Sequence, residues 1–76
     1  MDKDLIISLL REYACKFPQE FHLFEINNQI ELVSKTSRLG VEFEDEPSWW
    51  ICRTDGYSNS GCDIYLETVK SQIELL

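Results

Sequence analysis

Apolar residues recur at Ile6, Leu9, Leu10, Tyr13 and Phe17, with Leu5 and Ala14 beside them, which is the spacing of one helical face. Asp4, Ser8, Arg11, Glu12 and Cys15 fill the opposite arc of the same wheel. The pattern predicts an amphipathic helix over residues 4–17. Asp2 or Asp4 stands where a cap or a favourable charge at the helix start is needed, and Pro18 disfavours helical geometry at Phe17 and so ends it.

The period then changes to two. Residues 21–54 divide into four alternating segments, and two-residue loops at Asn27-Asn28, Thr36-Ser37 and Glu46-Pro47 give mutually consistent registers. Leu23 then opposes Leu32, Leu32 opposes Val41, and Val41 opposes Cys52, which predicts a four-stranded antiparallel meander with one apolar face. Phe21, Leu23, Ile30, Leu32, Leu39, Val41, Phe43, Trp50 and Cys52 are the expected core face. His22, Phe24, Ile26, Glu31, Val33, Gly40, Glu42, Glu44, Trp49, Ile51 and Arg53 fall on the other side, a mixture of large apolar groups and carboxylates unusual for a merely solvated surface.

Residues 55–61 are turn formers and read as a surface loop. Over 63–76, Tyr65, Leu66, Val69, Ile73 and Leu76 line one side of a helical wheel with Asp63 placed as N-cap, which predicts a second helix. Cys62, Ile64 and Leu66 also alternate, so a fifth strand over 62–66 followed by a shorter helix is the competing reading. The expected fold is a single small α+β domain over 1–76: N-terminal helix, four-stranded meander and C-terminal helix, with both helices on one sheet face. That order of elements assigns no function by itself.

Composition narrows the function classes. A chain of 76 residues has a small core, so help from a partner is plausible from the outset. Fourteen acidic against seven basic residues give a net charge of −7, which repels a phosphate backbone and makes a basic protein surface the expected target instead of nucleic acid. No segment approaches the roughly 20 apolar residues of a spanning helix, and the opening Met-Asp-Lys-Asp lacks a leader pattern, so no membrane association and a cytoplasmic location are expected. Three cysteines, an odd number in wide spacing, read as reduced thiols.

Cys15, His22, Cys52 and Cys62 are chemically suited to zinc, yet none stands in the close pairs that structural zinc sites use. Cys15 or Cys62 with His22 could form a nucleophile and base, but no third member or oxyanion site accompanies them. The sequence therefore assigns no catalytic residue, cofactor or metal. Glu42, Glu44, Asp45 and Glu46 gather charge at one end of the third and fourth strands, either as a solvated turn or as an electrostatic guide for a basic partner. Trp49 and Trp50 are adjacent on a strand, so only one can enter the core, and the register above places Trp49 outside.

The expected function is a small acidic non-catalytic protein-binding module, such as an inhibitor, an immunity- or antitoxin-like protein, or an adaptor. Trp49, Ile51, Phe24 and Val33 would form its contact surface inside a ring of Glu31, Glu42, Glu44 and Asp45. The alternatives are a homodimer formed through the same face and a thiol- or metal-dependent function at Cys15, Cys62 and His22.

Overall fold

A computed structural model describes residues 2–76; Met1, part of the expected domain span, lies outside the described residues. The chain is an α+β domain with elements α1 (Lys3–Lys16), β1 (His22–Ile26), β2 (Gln29–Val33), β3 (Ser37–Glu42), β4 (Ser48–Arg53), β5 (Ser58–Gly61) and α2 (Leu66–Ile73). The five strands form one antiparallel sheet in the order β1-β2-β3-β4-β5. The fold class holds, and the strand number is corrected from four to five.

Helix α1 follows its periodicity closely. Ile6 and Leu10 are buried, Leu9 and Tyr13 half-buried, and Cys15 exposed on the polar side. Tyr13, Phe17 and Phe21 meet edge-on or tilted at 5.9 to 6.4 Å between ring centres, turning the chain from the helix end into β1. Asp2 occupies the N-cap position of α1 without capping it through its side chain. Its carboxylate instead accepts the Leu66 backbone N–H at 2.8 Å, while its own N–H donates to the Ile64 carbonyl at 3.3 Å. One residue thus ties the start of α1 to the start of α2, where an anion suits the free N–H groups.

The first hairpin has the expected register, with Leu23 opposite Leu32 and Asn27 at φ 54°, the left-handed geometry that Asn tolerates in a tight turn. In the second hairpin Leu32 opposes Leu39, not Val41. The loop is Lys35-Thr36: Ser34 N–H donates to the Ser37 carbonyl at 2.8 Å, the two serine hydroxyls lie 2.8 Å apart, and Thr36 N–H reaches Ser34 Oγ. Two serines able to close this turn displace it by one residue, which moves the pairing by an even step and leaves the faces intact.

The third turn reverses them. Val41 opposes Trp49, and Leu39 opposes Ile51, so β4 presents the face opposite to that expected. A two-residue hairpin turn at Glu46-Pro47 needs positive φ at Glu46 or at both residues, and proline is locked near −65°. The chain therefore loops over 43–47, with Phe43 N–H still bonded to the Asn28 carbonyl at 2.7 Å. Trp49 (4 % exposed) and Ile51 (1 %) enter the core, whereas Trp50 is half-buried and Cys52 exposed on the other side.

The fifth strand arises from residues that read as a loop. Asp55 accepts the Tyr57 N–H and pairs with Arg53, and Gly56 takes φ 97°, so the chain reverses and Ser58–Gly61 runs back along β4. The competing strand over 62–66 is absent; that stretch is irregular and α2 begins at Leu66, shorter than expected. Asp63 is not the helix cap, because its carboxylate is used by Trp49 and Thr68.

Ile6, Leu10, Val69 and Ile73 from the helices join Ile30, Leu32, Leu39, Val41, Trp49, Ile51 and Ile64 in a single buried cluster. The six sheet members of that cluster all project from one face, as antiparallel pairing of alternating residues requires.

Candidate functional site

The second sheet face is organised by three cross-strand rows. Phe24, Glu31, Gly40, Trp50 and Ser60 form the central row. His22, Val33, Arg38, Cys52 and Ser58 lie on one side of it, and Ile26, Gln29, Glu42 and Ser48 on the other. Of the residues expected at the contact surface, Phe24, Val33, Glu31 and Glu42 are on this face. Glu44 and Asp45 are exposed in the loop that follows β3 instead of extending the strand. Trp49 and Ile51 are corrected to the core, and Arg53 to the cluster side, where its guanidinium donates to the Leu75 carbonyl at 3.2 Å and lies over the Tyr57 ring.

Trp50 takes the place expected for Trp49. Its indole lies across Gly40, where an added Cβ would stand only 2.4 Å from ring carbons, so the absence of a side chain at Gly40 is what lets the ring lie flat on the sheet. Phe24 and Ile26 protrude on the same face, 52 % and 68 % exposed. Arg38 belongs to the face too, as simple alternation with Gly40 and Glu42 indicates. Only the excluded proline turn at 46–47 could have pointed to Trp50 and Cys52.

Glu31 sits between these apolar groups with only 18 % of its side chain exposed. One carboxylate oxygen accepts from Gln29 Nε2 at 3.2 Å. The other is 3.1 Å from Arg38 Nη2 but lacks hydrogen-bond alignment, so that buried oxygen has charge compensation and no hydrogen-bond donor. Charge is graded along the strands: Glu42 and the Glu44-Asp45-Glu46 loop mark one end, Arg38 the other.

The cysteines are free and exposed, Cys15 on α1, Cys52 on β4 and Cys62 after β5. This corrects the burial expected for Cys52. Among the described residues no three His, Cys, Asp or Glu side chains converge to hold a metal ion. A surface depression of about 300 Å³ beside Cys52 is lined by Val33, the 34–38 turn, Arg53 and Thr54, with neither histidine nor carboxylate to activate the thiol. No helix among the described residues is long and apolar enough to cross a membrane.

Beneath the sheet, the Trp49 indole N–H donates to Asp63 Oδ1 at 2.9 Å, and Thr68 Oγ1 donates to Oδ2 at 3.2 Å. Gly61 leaves the room for this bond: a Cβ there would come within 2.6 Å of Asp63 Oδ1 and 2.8 Å of Trp49 Nε1. The Trp49 hydrogen bond, aided by backbone and Thr68 donors, holds the Asp63 carboxyl below its ordinary value. A carboxyl lowered on folding adds stability that is complete above its unfolded value, near 3.8, and is lost as pH falls through the lower folded one. Asp63→Asn is therefore expected to be less stable than the parent chain at neutral pH, with the gap closing below about pH 4, as urea melts across that range would record. A gap that stays constant to pH 2 would show that the charge of Asp63 contributes nothing.

No family model, curated protein or solved structure matches this chain.

Proposed function

We propose that the protein is a small acidic, non-catalytic binding module in which both helices cover the same sheet face and leave the opposite one for a basic protein partner. The observation that carries this reading is the placement of Phe24, Ile26 and Trp50 around Glu31 on that face. Aromatic anchors beside Glu31, whose side chain is 18 % exposed and pairs with Arg38, suit a partner that brings an apolar side chain and a basic one together. Glu42 with the 44–46 loop extends the negative field beyond the contact and favours encounter with a positive surface. A symmetric dimer through the same face is less favourable, since a two-fold axis along the central row would set Glu31 against its own copy.

The test is a partner captured from native lysate and titrated against purified variants. Trp50→Ala and Phe24→Ala should each weaken binding about 30-fold, the equivalent of about 2 kcal/mol at an interface anchor, mainly through faster dissociation. Glu42→Lys should act on the association rate and flatten its salt dependence. Undiminished affinity in a Trp50→Ala, Phe24→Ala double variant that remains folded would remove the face from the function.

A further inference from the structure

We propose that β1 is a pairing edge for a second copy of this chain, the two β1 strands running antiparallel about a two-fold axis at Phe24 and joining two five-stranded sheets into one. This edge shares Phe24 and Ile26 with the proposed partner face, but it is tested on the purified chain alone and does not depend on that reading. The sheet has two edges, β1 and β5, each hydrogen-bonded on one side only. They differ in chemistry. Strand β5 is Ser-Asn-Ser-Gly, short and without an apolar side chain, which blunts it against pairing. Strand β1 is His-Leu-Phe-Glu-Ile, with no proline, lysine or glycine, and four of its five positions are exposed. Its one carboxylate, Glu25, is bound by Arg11 from α1 at 2.7 Å.

The occupant follows from the register. An axis at Phe24 sets Phe24 against itself, His22 against Ile26 of the second copy, and Leu23 against Glu25, so every position is paired and no two carboxylates meet. Moving the axis to Glu25 would oppose two carboxylates, and moving it to Leu23 would leave Ile26 unpaired. The pairing also covers Phe24 and Ile26, the most exposed apolar side chains of the sheet, Phe24 against its own copy and Ile26 against His22 with Phe24 of the second copy on the diagonal. One strand pair buries less than the roughly 1,200 Å² of a strong interface, so the dimer forms at high micromolar concentration. Each copy carries −7, and added salt therefore tightens it, the opposite of its effect on a basic partner.

Sedimentation equilibrium of the full chain from about 10 µM to 1 mM should show monomer passing to dimer, at lower concentration in about 0.5 M salt than in 0.05 M. Phe24→Lys should weaken the association at least about tenfold with an unchanged melt. In a chain with Cys15, Cys52 and Cys62 replaced by serine, Phe24→Cys should oxidise to a covalent dimer, because cross-strand Cα atoms about 4.5 to 5.5 Å apart lie within disulfide reach. His22→Cys should not, its two copies standing about 13 Å apart along the strands. A chain still monomeric at 1 mM overturns the proposal, whether or not another protein is found on this edge. So does cross-linking of His22→Cys as fast as Phe24→Cys, or a Phe24→Lys variant that dimerises like its parent.

Discussion

Trp49→Ala is expected to lower the unfolding free energy by about 3 to 5 kcal/mol, the usual cost of truncating a buried large aromatic side chain. For a chain of 76 residues total stability is of the order of 4 to 11 kcal/mol, so this one change approaches complete unfolding. Three contributions act in the same direction. The indole is 4 % exposed within the shared cluster, it donates to Asp63 at 2.9 Å, and its passage under Gly61 links the end of β5 to the segment that enters α2. Trp49→Phe, which keeps most of the volume and removes the donor, should cost less than the alanine change and leave Asp63 without its strongest hydrogen bond. Trp50→Ala is the comparison that gives the result its meaning, since that ring lies half-exposed on the opposite face and should cost much less. Urea melts of the three variants decide the matter, and a Trp50→Ala chain less stable than Trp49→Ala would reverse the orientation of β4.

Leu32→Ala should cost about 2 to 5 kcal/mol, and Phe24→Ala clearly less although phenylalanine is the larger residue. Leu32 is fully buried on the interior strand β2, between Leu23 and Leu39 on the neighbouring strands, so its removal leaves a cavity that close packing around it closes only in part. Phe24 is 52 % exposed on an edge strand, and truncating it mostly returns apolar surface to water. Equal or inverted losses in denaturant melts would mean that a layer of chain covers Phe24, and would take away the anchor on which the binding reading depends.

Helix α1, the first hairpin and the faces of β2 and β3 were legible in the residues themselves. Ile6 and Leu10 on one arc, Leu23 with Leu32, and the buried positions 30, 32, 39 and 41 all follow from period and local turn chemistry. The second hairpin was legible in its faces and not in its register, because Lys35-Thr36 and Thr36-Ser37 are both acceptable turns and the serine pair at 34 and 37 selects between them. At the contact surface, Phe24, Val33, Glu31 and Glu42 were readable by alternation. Trp49 and Ile51 were misplaced and Trp50 was missed, since adjacent tryptophans carry no information about which faces inward once the turn before them is unknown.

What the sequence determined by itself is local: periodicity, the Asn27-Asn28 turn and an acidic balance are properties of neighbouring residues and of their sum. The tertiary structure decided the rest. Loop 43–47, which Pro47 keeps from closing as a two-residue turn, transfers the choice of face to whichever of Trp49 and Trp50 packs better. Burial of Trp49 and Ile51 in the core cluster, with Gly40 open to receive Trp50, settles that choice. The polar run 58–61 becomes a strand only because β4 offers a free edge and the Asp55-Gly56 turn aims the chain along it. Asp2 and Asp63, placed by the sequence as caps of their own helices, bond instead to Leu66 and Trp49, partners brought near only when the chain has folded.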